Sequence, residues 1–588
     1  MVKAKRADVK STQAGHALEE QADREEKPAG KQRQPHSWIM IACAAGAVLL
    51  FFIIYLSRLD RVAGQVVDDA WYVLLAKALA TGQGYTLINS PSSGILPFYP
   101  PAFPWLLSLV FRLAPQFPQN IWLLKSVSIA AMLGVGLASY YYFTRLRKLP
   151  VYVAFGIAMA VALSPAFVFL ATSTVMSECV FTLAQLLTII TIERGVEVKK
   201  SGRSWRYALV SSALASFALL TRSMGIGLIA AVFVYLLKER LFRAAIVFGV
   251  GVMVCVGPWM VYTRAHAPTL EQRAEQSGNI VYSYIESFWH RRAGDAASGK
   301  VTVDDLPERV WSNTLQILGN DVGTIMAGPL FREATNSGYE TLERRGRERS
   351  ILSLILSALA LIGFVAVARE KVTLAEIVIA FSLAIIVLWP WESFRFVLPF
   401  MAFVMFYILM GVQALHRFHQ RWQQRTNLRA QWLALGIVAG CMVALSLYDH
   451  VSYLRQKSQP LTAGQSTWIQ LFEENETLLK WLDQKLPKEG VIATPNPALV
   501  YLYTGHKTIS FDNPVEKWET YNRLGMRYLA WTSLKPLPNP SFSEGRYNII
   551  YRSRGPLNLR VVDFGPPASR APWGSVDPAR TMKIDADR

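Results

Sequence analysis

Long apolar runs constrain the fold of this chain more than any other feature of its sequence. Runs of about 19 to 23 residues recur, a length that crosses the hydrocarbon core of a bilayer as an α-helix. Hydrophobic residues make up 52% of the 588 residues and charged residues only 18%, with a mean hydropathy of +0.24. We therefore expect an α-helical polytopic membrane protein. The predicted spans are about 38–56, 121–143, 151–171, 178–193, 207–221, 224–237, 244–263, 351–368, 373–391, 395–415 and 430–448.

Basic residues decide the predicted topology. A net charge of +19 would suggest nucleic acid in a soluble chain. In a membrane protein, basic residues collect in cytoplasmic loops and near anionic lipid, so we expect membrane lipids as partners and no nucleic acid. All five basic loops lie inside only if segment 103–114, after Pro100-Pro101, does not cross, which gives eleven crossings, a cytoplasmic N-terminus and an outer C-terminus. These loops are 145–148, 194–206, 238–243, 369–371 and 416–429; the run 344–349, which ends a long outer loop, is an exception.

We expect three parts along the chain. Residues 1–37 are polar with few large apolar groups and should be a disordered cytoplasmic segment. Residues 38–448 form the transmembrane domain, with a first outer loop at 57–120 and a large outer loop at 264–350. Residues 449–588 alternate helical and β-rich apolar runs, which favours a small extracytoplasmic α/β domain.

Asp68 and Asp69 stand side by side in the first outer loop. Adjacent carboxylates near a bilayer repel each other and are costly to desolvate, so they tend to serve chemistry or cation binding. Asp68 could take a proton from an attacking hydroxyl or amine, and Asp69 would raise the pKa of its neighbour. Because adjacent carboxylates also suit a divalent cation, a metal stays open.

The predicted topology brings further charged residues to the same membrane face. Arg222, Arg395 and Lys77 could hold phosphate oxygens through charge-assisted hydrogen bonds. Together these residues suit displacement of a phosphate leaving group from a sugar carbon, which needs a base and cations that stabilise the departing anion. The predicted binding residues are Tyr72, Lys77, Tyr99, Glu178, Arg222, Glu392 and Arg395.

Each residue also has a plainer interpretation. The aspartate pair could only cap a helix that starts at Ala70, Glu178 could be a favourable charge at a helix start, and the arginines could be interfacial residues. For the whole chain, a transporter or flippase for a lipid-linked saccharide would place acids at mid-membrane with internal repeats. A non-catalytic membrane scaffold is the third alternative.

Five segments, in chain order, resemble a known family. Asp68-Asp69-Ala70-Trp71-Tyr72 and Tyr99-Pro100-Pro101-Ala102-Phe103-Pro104 are similar to the first outer loop of GT-C glycosyltransferases, in the group of protein O-mannosyltransferases and lipid A aminoarabinose transferases. Ser177-Glu178 resembles the acidic position of their second outer loop. Leu220-Thr221-Arg222 and Phe394-Arg395-Phe396 also look like recurrent family segments.

The resemblance implies a GT-C fold and an inverting sugar transfer from a polyprenyl-phosphate donor to a lipid, glycan or protein acceptor at the outer membrane face. It implies that Asp68 is the catalytic carboxylate and that the membrane is the bacterial inner (plasma) membrane. Two positions depart from the family pattern. Asp69 stands where Glu is commoner, and Tyr99 stands where the aminoarabinose branch has a Lys before Pro-Pro.

Overall fold

The computed structural model describes residues 37–92, 94–96, 99–276, 284–292, 295–330, 350–423, 428–458, 468–511, 514–539 and 548–565. The chain divides into two compact units, Met1–Phe52 and Ile53–Arg588. Of the first unit the structure describes part of one apolar helix, and the site and all contacts below lie in the second. The expectations of a disordered N-terminal segment and of an outer basic run at 344–349 fall outside the described residues, except for Ser37.

Helices dominate up to residue 457. The first ten are α1 Ser37–Arg58, α2 Asp68–Ala80, α3 Ala102–Leu113, α4 Ile121–Tyr141, α5 Val151–Ala162, α6 Pro165–Thr172, α7 Glu178–Glu197, α8 Ser204–Thr221, α9 Gly225–Lys238 and α10 Phe242–Ala265. The long loop 264–350 then contains α11 Leu270–Gln276, α12 Tyr284–Phe288, the hairpin strands β1 His290–Arg292 and β2 Asp295–Lys300, α13 Leu306–Gln316 and α14 Val322–Ala327. The remaining apolar helices are α15 Ile351–Glu370, α16 Leu374–Leu388, α17 Phe394–Val397, α18 Met401–Gln423 and α19 Leu428–Lys457.

The structure confirms a polytopic helical membrane protein. Seven helices of the described residues are long and apolar enough to cross a membrane, or eight if α5 and α6, bent by 45°, form one span. The bend coincides with Pro165, whose ring cannot donate a backbone hydrogen bond. Three apolar helices, α3, α9 and α16, are shorter. Eleven crossings therefore remain a prediction, as does a non-crossing α3, whose 12 residues extend only about 18 Å.

Glycines let two spans approach closely. A Cβ atom built on Gly363 of α15 would overlap the carbonyl oxygen of Tyr407 in α18, and one built on Gly411 would overlap the carbonyl oxygen of Leu359. Small residues at helix crossings in a membrane allow this backbone contact. Close packing matters there because lipid is as apolar as the helices, so the hydrophobic effect does not drive helices together. This crossing fixes α18, whose preceding turn carries Arg395.

The C-terminal region is a small α/β fold, as expected. It contains α20 Trp468–Lys485, β3 Val491–Thr494, α21 Pro497–Thr504, β4 Thr508–Ser510, α22 Pro514–Arg523, β5 Met526–Trp531, β6 Asn548–Arg552 and β7 Arg560–Asp563. The strand order is β4-β3-β5-β7-β6, with β3 parallel to β4 and β5, and β7 antiparallel to β5 and β6. Ala493, Ile509 and Leu529 are fully buried in its core.

This C-terminal fold contacts the loop 57–120 directly. The backbone amide of Thr508 donates to the carbonyl of Asn89 at 2.8 Å, and the side-chain amide of Asn496 donates to the carbonyl of Gly64 at 2.8 Å. The Tyr503 hydroxyl donates to the carbonyl of Ala63 at 3.2 Å. The α/β fold therefore supports the loop that precedes α2.

Candidate active site

A tight loop positions the start of α2. Lys125 and Asp60 form a buried ion pair at 2.7 Å, and Lys125 also donates to the Asp60 carbonyl. The chain then reaches Val67, which has a left-handed φ of 47° directly before the helix. Because a β-branched residue adopts such a φ only under external constraint, the surrounding contacts hold the turn in place.

Asp69 supplies part of that constraint. Its carboxylate is fully buried and accepts hydrogen bonds from the backbone amides of Gly64 at 2.8 Å, Val66 at 2.9 Å and Ala70 at 3.0 Å. Burial raises the pKa of Asp69 to about 6, although the amides of Gly64 and Val66 oppose this rise. Asp69 is therefore a structural acceptor for its own loop and does not face the same space as Asp68.

Asp68 faces the charged residues of the other segments. Its Oδ1 accepts from the Tyr99 hydroxyl at 3.0 Å, and its Oδ2 lies 3.1 Å from Nη1 of Arg395. The side chain of Asp68 keeps 27% of its surface exposed. Of the two adjacent acids, Asp68 is thus the one that a substrate can reach.

Arg395 joins two carboxylates from distant segments. Its Nε and Nη2 lie 2.8 and 2.7 Å from Oε1 of Glu178, while its Nη1 contacts Asp68. Arg222 contacts the same Glu178 oxygen through Nη1 at 2.8 Å, and the same nitrogen donates to the Ser177 hydroxyl at 3.3 Å. Two guanidinium groups and two carboxylates therefore form one continuous network. Within this network the Glu178 side chain is fully buried, whereas the Asp68 side chain is partly exposed to solvent.

Tyrosines surround this network. The ring of Tyr72 packs edge-on against Tyr99 and Phe103, with centroids 5.3 and 5.2 Å apart, and its hydroxyl accepts from Ser177 at 3.2 Å. Burial raises the pKa of Tyr72 to about 12 and that of Tyr99 well above the usual 10, so both phenols are neutral donors at pH 7. The Tyr85 hydroxyl donates to the carbonyls of Tyr99 and Pro100 and fixes the turn before α3.

Two predicted binding residues contact other parts of the chain. Lys77 lies nine residues after Asp68 in α2, with Nζ 5.7 Å from the centre of the Tyr501 ring in the C-terminal fold. Burial lowers the pKa of this ammonium group. Glu392 is exposed beside Ser393, and its negative charge helps to raise the pKa of Asp321. The structure shows neither side chain in the Arg222–Arg395 network.

Asp321 was not predicted from the sequence as a residue of the site. It is almost fully buried, and its two oxygens accept from the Ser393 hydroxyl at 2.5 Å and from the Gln316 amide at 3.1 Å. Burial raises its pKa to about 6. Because Ser393 lies two residues before Arg395, Asp321 ties the large outer loop to the turn that carries this arginine. An Asp in a segment of mixed polarity gives no local signal of such a long-range bond.

The described residues contain no group of three or more His, Cys, Asp or Glu side chains that could hold a metal ion. The Asp68–Asp69 pair also fails to present a joint oxygen set, since both Asp69 oxygens accept from backbone amides. A divalent cation at this pair remains a prediction that the arrangement of Asp69 does not favour.

One protein-family comparison covers part of this site. The model of the family described as dolichyl-phosphate-mannose-protein mannosyltransferase matches residues 99–262, somewhat more than a quarter of the chain. The matched segment includes Tyr99, Glu178 and Arg222 but not Asp68 or Arg395. The match confirms the predicted resemblance to GT-C glycosyltransferases and the predicted enzyme class, a glycosyltransferase. No curated protein sequence matches the chain.

Solved structures of three glycosyltransferases resemble the chain at a low level. The oligosaccharyltransferase of Archaeoglobus fulgidus in its apo form has a TM-score of 0.49 at 11% identity, over 86% of this chain and 70% of that one. ArnT from Cupriavidus metallidurans, bound to undecaprenyl phosphate, has 0.45 at 13%, over 90% and 98%. The mycobacterial arabinofuranosyltransferase AftD has 0.38 at 13%, over 87% and 36%. At these TM-scores the likeness does not identify a common fold by itself.

Proposed function

We propose that this membrane protein transfers a sugar from a polyprenyl-phosphate donor to an acceptor at the extracytoplasmic face, with inversion at the sugar carbon and with Asp68 as general base. One observation carries the proposal: the guanidinium of Arg395 bridges the partly exposed Asp68 and the buried Glu178. The matched family is described by its dolichyl-phosphate-mannose donor, which supports a lipid-phosphate donor in general. The acceptor class, lipid, glycan or protein, stays open.

The arginines suit the phosphate of such a donor. No described residue accepts a hydrogen bond from Nε or Nη2 of Arg222, so these donors are available to phosphate oxygens. A donor phosphodiester carries one negative charge and leaves as a phosphate with two, so charge grows on the leaving group during transfer. Cations fixed beside that group stabilise the transition state more than the ground state.

Asp68 competes with the donor phosphate for Arg395. Glu178 is fully buried and holds Arg395 through two nitrogens, whereas Asp68 is partly exposed and holds it through one. An incoming phosphate would therefore displace Asp68 and leave Glu178 in place. Asp68, still held by the Tyr99 hydroxyl, would then be free to accept the proton of the acceptor hydroxyl or amine. The acceptor oxygen or nitrogen bonds to the sugar carbon as the bond from that carbon to the phosphate oxygen breaks.

Asp68→Asn tests this role. Asn keeps the size of the side chain but cannot accept a proton, so we expect kcat/KM to fall by about 10² or more. Donor binding should be largely retained because both arginines remain. The measurement is release of polyprenyl phosphate from a panel of radiolabelled polyprenyl-phosphate sugars, in membrane vesicles from cells that make the protein.

Asp304→Asn is the matched control, since Asp304 is an exposed acid of the large outer loop, and it should keep the parent rate. The parent rate in Asp68→Asn would contradict the assignment of the base. A transporter would move the intact donor across the vesicle membrane without releasing polyprenyl phosphate. The same assay, read on both sides of the membrane, therefore separates the two functions.

A further inference from the structure

A cavity lies at the helix ends remote from Arg395. It has a volume of about 660 Å³ and is lined by the last turns of α7, α9 and α15, by the middle of α18 from Phe406 to Arg417, and by the segment after α4. Glu178 begins α7 and Glu193 of the same helix lines this cavity, a separation of about 22 Å along the axis. The cavity is therefore distinct from the site that contains Asp68.

The lining of α18 changes from apolar to basic along the helix, and a lysine follows the end of α15. In α18, Phe406 and Met410 precede Arg417, and Lys371 follows Val367 of α15 just after that helix ends. Trp432 adds an indole ring to the apolar part. A cavity with an apolar wall inside and cations at its rim matches a molecule with hydrocarbon chains and an anionic head.

Three cations of the rim have no carboxylate partner in the described part of the chain: Lys148, Lys200 and Lys371. The carboxylates that line the cavity each have a polar contact of their own. These contacts are Tyr142 to Glu193 at 3.3 Å, Arg194 to Glu197 at 2.6 Å, Lys199 to Glu239 at 3.3 Å and Arg417 to Glu370 at 3.7 Å. Arg147, which also lines the cavity, is paired with Glu376 at 2.8 Å. The rim therefore keeps an excess of positive charge after its internal pairs are counted.

A buried amide provides an independent indication of a ligand. Gln413 lines the cavity and is only 5% exposed, and its Nε2 has no hydrogen-bond acceptor among the described residues. Buried polar groups are nearly always satisfied, by protein, by water or by a ligand. A donor left unsatisfied in a cavity that is also lined by three unpaired ammonium groups favours an anionic oxygen as its partner.

We propose that this cavity binds one anionic phospholipid of the surrounding bilayer. Its phosphate contacts Lys148, Lys200, Lys371 and the Gln413 amide, and its acyl chains lie against the Phe406 and Met410 side. The proposal is independent of the sugar-transfer function, because none of these residues belongs to the Arg222–Arg395 network.

The test uses the full chain in a neutral detergent, with phosphatidylglycerol, phosphatidylcholine or inorganic phosphate added. We expect native mass spectrometry to show one retained phosphatidylglycerol, and thermal unfolding to show a larger stabilisation by phosphatidylglycerol than by phosphatidylcholine. In Lys148→Gln/Lys200→Gln/Lys371→Gln the apparent affinity for phosphatidylglycerol should fall by at least about tenfold, since each basic residue near an anionic lipid contributes severalfold. Gln413→Leu should weaken binding without changing the net charge.

The matched control is Arg145→Gln/Arg203→Gln/Arg369→Gln, which removes the same charge from exposed residues of neighbouring segments that do not line the cavity. It should keep the affinity of the parent protein. An equal loss in both triple variants would show diffuse attraction of lipid to a basic surface and overturn the proposal. Equal protection by inorganic phosphate and by phosphatidylglycerol would also overturn it, since the ligand would then be a free anion and not a lipid.

Discussion

Glu178 determines how the charges of the site hold together. Its buried Oε1 accepts from both Arg222 and Arg395, so two guanidinium groups share one carboxylate oxygen. Removing one partner of a buried pair leaves an uncompensated charge and costs about 3 to 5 kcal/mol. Because Arg222 would still neutralise Glu178 if Arg395 turned toward a phosphate, the network tolerates movement of Arg395. The partly exposed bond to Asp68 is the one that such a movement breaks.

Asp69 makes the stability of the protein depend on pH. Its pKa rises from 3.8 in the unfolded chain to about 6 in the fold, because burial disfavours the charged form. The folded protein therefore binds this proton more tightly, and its contribution to the free energy of unfolding is largest below about pH 4. That contribution falls as the pH rises through about 6, by about 3 kcal/mol in total.

Asp69→Asn should remove this dependence. We expect the stability of the parent protein relative to the variant to decrease from pH 4 to pH 7, measured as the difference in Tm in detergent. Asp321 titrates in the same range and in the same direction, but it is present in both proteins and cancels in the difference. Asp304→Asn, at an exposed acid, should follow the parent curve. A difference in Tm that stays constant across this range would contradict the raised pKa.

At the scale of elements, the crossing of α15 and α18 leaves no room for a side chain. Gly411→Val would press its side chain into the backbone of Leu359. Because the obstructing atoms belong to a helix backbone and not to a flexible side chain, they cannot easily move aside. We expect destabilisation of about 1 to 3 kcal/mol or more, with loss of activity because α18 follows the turn that carries Arg395. The measurement is thermal unfolding in detergent together with the donor-cleavage rate.

Gly440→Val is the matched control for this crossing. Gly440 lies in the apolar helix α19, and a Cβ built on it has no neighbour within 4 Å. This variant should change the free energy of unfolding by no more than about 0.5 kcal/mol, so its Tm should stay close to that of the parent protein. Equal effects of the two substitutions would show that loss of helix propensity, and not the close crossing, is responsible.

The sequence predicted the elements well where one physical signal dominates. Every apolar run named from hydropathy coincides with a helix, although the run at 151–171 is broken near Pro165. The β-rich apolar character predicted for residues 449–588 is found in strands such as β3 and β5, whereas β4 and β7 are short strands without a distinct pattern. Their pairing with distant strands decides their conformation, and a local pattern does not record distant partners.

The site was predictable only in part, for a related reason. Topology from basic loops suggested one face for Asp68, Glu178, Arg222 and Arg395, and these residues do contact one another. The direction of each side chain was not predictable: Asp69 turns to its own loop and Lys77 to Tyr501. The bond from Asp321 to Ser393 joins residues 72 positions apart, and only the folded chain brings them together.

At the scale of the molecule, the C-terminal fold and the site share the first outer loop. The buried amide of Asn89 donates to Thr508 of β4, with its nitrogen 3.1 Å from the hydroxyl and 3.3 Å from the carbonyl oxygen. The same loop carries Asp68 near its start and Tyr99 near its end. Distortion of the contact with β4 should therefore reach both Asp68, the proposed base, and Tyr99, whose hydroxyl holds it.

Asn89→Ala should lower activity beyond its effect on stability. Losing a buried hydrogen-bond donor costs about 1 to 3 kcal/mol, and we expect kcat to fall severalfold at temperatures where the variant remains folded. Asn475→Ala is the matched control, because Asn475 is equally buried and its amide bonds lie within the C-terminal fold, to Leu471 and Ser533. It should lose stability alone. If both variants keep the parent kcat while folded, the C-terminal fold does not position the loop for catalysis, and its contacts with Asn89 and Gly64 serve stability only.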